Sequence, residues 1–183
     1  MKIALAQINV AVGDLDGNAA RILDCARRAR EAGASMLVTP ELALCGYPPE
    51  DLLLRTGFNL ACLNTLHSLA RSISGITVVV GHPDLAEGRR FNAASVLQDG
   101  RVVATYHKHC LPNHTVFDEV RYFTPGTEPC VFELEGVRFG VNVCADVWEE
   151  GSCGGGSAAA KAKAAGAQVL LVLNASPYHM HKQ

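Results

Sequence analysis

The feature that most constrains this chain is the alternation of short, unbroken apolar runs with longer stretches whose apolar residues recur at helical spacing. Runs such as "ASMLVTP", "ITVVVGHP" and "QVLLVLNASP" read as strands buried on both faces. Between them the pattern changes period. After a first strand over residues 3–9 and a "VGDLDGN" turn, Ile22, Leu23, Cys25, Ala26 and Ala29 predict a helix over 18–32 that stops at Gly33. A second helix starts near Pro49 with acidic residues in its first turn and runs, with breaks, toward Ile73. "RFNAASVLQ" and "RVVATYHKH" predict a hairpin around Asp99-Gly100, and "VFELEGVRFGVNV" predicts another around Glu135-Gly136. An Ala-rich helix over 157–165 and a strand ending at Asn174 close the chain. Strand, helix and strand in this order define an α/β fold.

Composition narrows the function classes. With 183 residues, 49% apolar and 19% charged, the chain suits one globular domain with one core. A net charge of −2 gives no electrostatic basis for a nucleic-acid or membrane partner. No apolar stretch reaches bilayer-spanning length and "MKIALAQINV" lacks a signal peptide's core and cleavage site, so the expected location is cytoplasmic. Seven cysteines with no C-x-x-C pair argue against a disulfide framework and for reduced thiols.

Three reactive side chains end apolar runs: Glu41 after "MLVTP", Lys108 after "VVATYH" and Cys144 after "VRFGVNV". A carboxylate, an amine and a thiol are the groups that covalent amide hydrolysis needs. A cysteine attacks as thiolate and requires a base or a nearby positive charge. Glu41 fits the base. The Lys108 ammonium and the N–H of Ala145 fit the donors that an oxyanion requires. Taken singly, each residue has a plainer reading: a cysteine is most often a small buried apolar residue, and a lone Glu or Lys a solvated charge. Their shared position at strand ends, where α/β sites collect, favours the chemical reading.

Other features invite weaker readings. "GSCGGG" lacks both the G-x-x-x-x-G-K-[ST] and the G-x-G-x-x-G forms, so a mobile loop beside Cys144 is preferred to a nucleotide site. His107, His109, Cys110 and His114 are zinc-ligating types without a zinc spacing, and on a strand His107 and His109 face away from Lys108. No metal site is expected. Tyr47, Phe117 and Trp148 suit the wall of a cleft or a core edge.

The strings "TPELALCGYPPEDLL", "YHKHCLPNHTVFDEVRYFTPG", "VCADVWE" and "NASPYHMHK" closely resemble the nitrilase-type amidase domain of glutamine-dependent NAD synthetases, over essentially the whole chain. The resemblance implies a four-layer α-β-β-α sandwich, a Glu41-Lys108-Cys144 triad, and hydrolysis of glutamine to glutamate and ammonia without a cofactor. It also implies a partner synthetase domain, absent from this chain, that would use ATP and deamido-NAD, and assembly into a homo-oligomer. Against the family pattern the sandwich would be incomplete at its C-terminus. Glu119 matches a second acid that the superfamily places beside its lysine, although a surface pair with Arg121 is an equal alternative. Ser176 resembles a pocket residue, or serves an ST-turn before Pro177. Lys182 is a candidate partner for the substrate carboxylate. Two departures stand near the site: Ala145 where the family has Glu, and His114 where it has Tyr. Both bear on glutamine selectivity, so hydrolysis of another small amide or carbamoyl compound, and a non-catalytic truncated relic, are the alternative readings.

Overall fold

The structure, a computed structural model, describes residues 1–113, 117–148, 157–176 and 180. Two mixed sheets lie face to face, with helices on the outside of each. The larger sheet has the order β1 (Ile3–Leu5), β2 (Met36–Val38), β3 (Thr77–Ala86), β4 (Arg89–Gln98), β5 (Arg101–His107). Its first three strands are parallel and the rest antiparallel. In the smaller sheet β7 (Val137–Val143) lies between antiparallel β6 (Cys130–Leu134) and parallel β8 (Val169–Leu173).

Why β3 reads as a continuous apolar run follows from its two faces. Val78 and Val80 pack with Ile22, Ala26, Leu66 and Leu69 of helices α1 (Leu15–Glu31) and α2 (Thr56–Ser72). Val79, between them in sequence, points the other way and joins Met36, Val96, Tyr106, Phe139, Val141 and Leu171 between the sheets. A period of two thus buries both faces. Helix α3 (Ala158–Ala164) covers the far side of the smaller sheet, where Gly140 of β7 admits it: a Cβ on Gly140 would lie 2.9 Å from the Ala167 Cβ and 3.0 Å from the Ala162 Cβ. The layers are therefore α-β-β-α.

Local signals account for the boundaries. Asp14 caps α1, its carboxylate accepting from Gly17 N–H at 3.0 Å, so the helix starts three residues before the expected Asn18. Gly33 follows the helix with φ +74°, the left-handed conformation that ends a helix cheaply. The expected break in the second helix falls at Arg55, between a 3-10 turn over Glu50–Leu54 and α2. Both predicted hairpins form, with positive φ at Asp99, Gly100, Glu135 and Gly136. A third, between β3 and β4, turns at Glu87-Gly88. The sequence hid it because Pro83 suggested a strand end, whereas β3 continues through Pro83 opposite Asn92. The first strand is shorter than expected, ending at Leu5 rather than residue 9. Helix α3 and β8 lie where predicted, Ser157 Oγ accepting from Ala160 N–H as the cap of α3. No helix among the described residues is long and apolar enough to cross a membrane.

Filling the α3 contact should be costly. Gly140→Val is expected to lower stability by about 1–3 kcal/mol through overpacking, read as a lower urea midpoint at unchanged slope.

Candidate active site

Four site segments leave strands at their C-terminal ends. Glu41 follows β2, Lys108 follows β5, Cys144 follows β7 and Ser176 follows β8. The segment bearing Glu41 is pressed onto β3. Gly81 makes this possible, since a Cβ there would lie 2.5 Å from Pro40 O and 2.6 Å from Leu42 N. Thr39 Oγ1 accepts from Gly81 N–H at 3.2 Å and Gly81 O accepts from Leu44 N–H at 3.0 Å. Leu42, at φ +49°, turns its side chain into a cluster with Cys45, Leu53, Cys62 and Phe123.

Lys108 is wholly buried and lies between two carboxylates. Its Nζ donates to Glu41 Oε1 at 2.7 Å and to both oxygens of Glu119 at 2.9 Å. Burial alone would drive the ammonium to lose its proton. The charges of Glu41 and Glu119 outweigh burial and hold Lys108 above its ordinary pKa. Burial pushes the Glu119 carboxyl up, Lys108 opposes that shift, and the Glu41 charge adds to it. Tyr47 Oη donates to Glu119 Oε1 at 3.0 Å, and burial beside that carboxylate pushes its phenol up. Asn92 Nδ2 donates to Glu41 Oε1 at 2.8 Å and reaches Glu119 Oε2 at 3.4 Å. The other Glu41 oxygen, Oε2, accepts from Ala175 N–H at 3.2 Å.

Cys144 opens a 3-10 turn over Cys144–Val147 with φ +43°, a conformation non-glycine residues adopt rarely and at a cost. Asp146 holds this turn. Its Oδ2 accepts from Val143 N–H and Tyr106 Oη–H, both at 2.8 Å, and its Oδ1 from His109 N–H at 3.1 Å and Cys110 N–H at 2.9 Å. The Cys144 turn is thereby tied to the segment that follows Lys108. The Cys144 Sγ lies 3.8 Å from Ser176 Oγ. Burial pushes the Cys144 thiol up to about 11; the Glu41 charge adds to this, while Lys108 and the Ser176 contact pull down. At rest Cys144 is a thiol.

The structure brings Glu41, Lys108, Cys144, Glu119, Tyr47, Ala145 and Ser176 to this end of the sandwich. Glu119 bonds to Lys108, and Arg121 pairs instead with Asp51, so the surface-pair alternative does not hold. His107 turns away from Lys108 to Asp84 at 2.8 Å and stacks on Phe91, while His109 bonds to Glu128 O. Phe117 is half-buried; Trp148 is 71% exposed, a correction to its expected place in a pocket wall or core edge. His114, Lys182 and the Gly-rich loop lie outside the described residues. Cys25, Cys45, Cys62, Cys130 and Cys144 are free thiols, but Cys110 is disulfide-bonded, so the expectation of reduced thiols fails there. Asn92, Asp146 and Tyr106 were missed. The available signal was a polar side chain inside or just beyond an otherwise apolar strand.

The carbon-nitrogen hydrolase family model matches residues 2–183, and the chain belongs to that family. Among its curated relatives, the glutamine-dependent NAD(+) synthetase of Xanthomonas campestris is 45% identical over 185 residues, covering all of this chain and 32% of the relative. That of Thermotoga maritima is 39% identical over 185 residues, covering all of this chain and 31% of the relative. The chain thus spans about a third of the length of these relatives. Among solved structures, the glutamine-dependent NAD+ synthetase of Acinetobacter baumannii superposes with a TM-score of 0.90 at 36% identity, over 98% of this chain and 33% of that one. A glutamate-to-glutamine mutant of the nitrilase-superfamily amidase of Nesterenkonia sp. AN1, 31% identical, has a TM-score of 0.80 over 95% of this chain and 66% of its own, and shows acrylamide added at its active-site cysteine.

Alkylation of Cys144 by iodoacetamide, followed on its own peptide, should rise with pH through 9 toward its pKa of about 11, without a plateau near neutrality. Asp146→Ala strands four donors, three of them backbone N–H groups. At about 1–3 kcal/mol for each buried group left unpaired, a loss of at least about 3 kcal/mol is expected in urea unfolding.

Proposed function

We propose that this chain is a glutamine amidohydrolase that works through Cys144, Glu41 and Lys108 and passes through a cysteine thioester. The observation that carries this reading is the buried Lys108 ammonium clamped by Glu41 and Glu119, with the Cys144 thiol within reach of their charges. Substrate binding brings an amide carbonyl to Sγ. Glu41 takes the thiol proton as sulfur attacks the carbonyl carbon, so a reactive thiolate exists only when there is something to attack. Lys108, fixed as a cation, and the N–H of Ala145 stabilise the oxyanion. Collapse of the tetrahedral adduct breaks the C–N bond, and Glu41 returns its proton to the leaving nitrogen, which departs as ammonia. Water then adds to the thioester, giving a proton to Glu41; expulsion of the thiolate yields the acid, and that proton restores the thiol. The sum is amide plus water to carboxylic acid plus ammonia. No step calls on a metal or organic cofactor.

Glutamine is the favoured substrate because the NAD(+) synthetases similar to this chain are named for their dependence on it. In that reading the ammonia serves amidation of deamido-NAD, with ATP, by a synthetase domain of the kind these longer relatives would carry. Ala145 and the similarity to the Nesterenkonia amidase support a second reading, a hydrolase of smaller amides. Ser176, beside the nucleophile, and Tyr47, over Glu119, are the residues proposed to border the substrate, with Phe117, His114 and Lys182 as further candidates.

Incubation with 6-diazo-5-oxo-norleucine should give one covalent adduct by intact mass that Cys144→Ala abolishes. Ammonia release from glutamine should fall by about 10²–10⁴ in Glu41→Gln and by at least about 10² in Lys108→Met. Release from propionamide but not glutamine would replace the glutaminase reading with the smaller-amide one.

A further inference from the structure

Asn92 stands in β4 among apolar neighbours, 1% exposed, and it touches Glu41, Glu119 and Lys108. Its amide nitrogen faces Glu41 Oε1 and Glu119 Oε2, and its backbone carbonyl accepts from Lys108 N–H at 2.8 Å. The orientation of the amide is set by chemistry: two carboxylates can only accept, so the NH₂ end must face them. One neutral side chain therefore supplies both of its protons to two anions that share a single ammonium.

The arrangement distinguishes the two oxygens of Glu41. Oε1 receives both Lys108 and Asn92, which occupy its two acceptor positions; among the described residues Oε2 receives only Ala175 N–H and keeps one position open. We propose that Asn92 is a positioning residue for the reaction, bridging Glu41 to Glu119 through its amide and holding Glu41 so that the Cys144 thiol proton passes to Oε2. In that transfer the S–H bond of Cys144 breaks and an O–H bond forms at Oε2, leaving Oε1 bound to its two donors throughout. This rests on the amidohydrolase reading above. Asn92 has no contact with the reacting carbon, so its influence runs through Glu41.

A hydrogen bond to an anion favours ionisation, and its loss moves the pKa up. Asn92→Leu, close in shape but without donors, should therefore shift the acidic limb of kcat/KM to higher pH. A shift of one unit makes the loss about tenfold greater below the parent's acidic limb than on its plateau. The fall should lie in kcat, with KM for the amide within about twofold, because Asn92 does not touch substrate. Asn92→Ala, which removes bulk as well, should show the same displaced limb, and thermal melting of both variants verifies that they are folded. The readout is ammonia release by the full chain from glutamine, or from propionamide if glutamine is not hydrolysed. Equal losses at every pH, or a raised KM with kcat intact, would overturn the assignment of Asn92 while leaving the hydrolase reading in place. A folded parent that releases ammonia from neither amide would overturn that reading first, and this inference with it.

Discussion

An ammonium with no exposure to water, held between two carboxylates, is the interaction on which the rest of this site depends. Burying Lys108 would by itself be expensive, and neither Glu41 nor Glu119 could stay charged there alone. Together they compensate one another, and further acceptor positions are met by Asn92, Tyr47 and Ala175 N–H, leaving one open at Glu41 Oε2 among the described residues. Removing one member would leave an uncompensated buried charge, so the group stands or falls as a unit. It also welds distant parts of the chain, because Glu41 and Lys108 are 67 residues apart.

Much of this was legible in the sequence, for identifiable reasons. The strand runs could be read because burial on both faces leaves no polar alternation, and the hairpins at Asp99-Gly100 and Glu135-Gly136 because left-handed turns demand residues such as glycine. Glu41, Lys108 and Cys144 stood out as polar groups at the ends of apolar runs. Failures had equally physical causes. Pro83 reads as a strand terminator, yet its place in the antiparallel ladder opposite Asn92 lets β3 continue. Glu119 had two partners of comparable local plausibility, Lys108 and Arg121, and only the fold decides between contacts 11 and 2 residues away. Asn92 and Asp146 gave little signal, since what makes them matter is a set of long-range hydrogen bonds, and sequence spacing does not encode those.

Division of labour among the site residues follows from their environments. Burial pushes the Cys144 thiol up, and in the amidohydrolase reading the thiolate is made only against a substrate. The strained turn at Cys144 is held by Asp146, whose four bonds lock both its own turn and the start of the segment beyond Lys108. Strain is concentrated where the chain needs a sharp exit from β7, and the compensating bonds come from the end of β7 itself, from β5 of the other sheet and from the segment that follows β5.

One property of the two-sheet architecture has a mechanical meaning. Glu41, Asn92 and Lys108 belong to the larger sheet, whereas Cys144 and Ser176 belong to the smaller one, and the layer between them is built from Met36, Val79, Val96, Phe139, Val141 and Leu171. The gap between Cys144 and Glu41 is thus set by the thickness of a hydrocarbon layer. A methyl group gained or lost at the buried seam would act as a shim, moving thiol and carboxylate together or apart by fractions of an ångström. In the amidohydrolase reading, reactivity is tuned from a buried layer that lies outside the site itself.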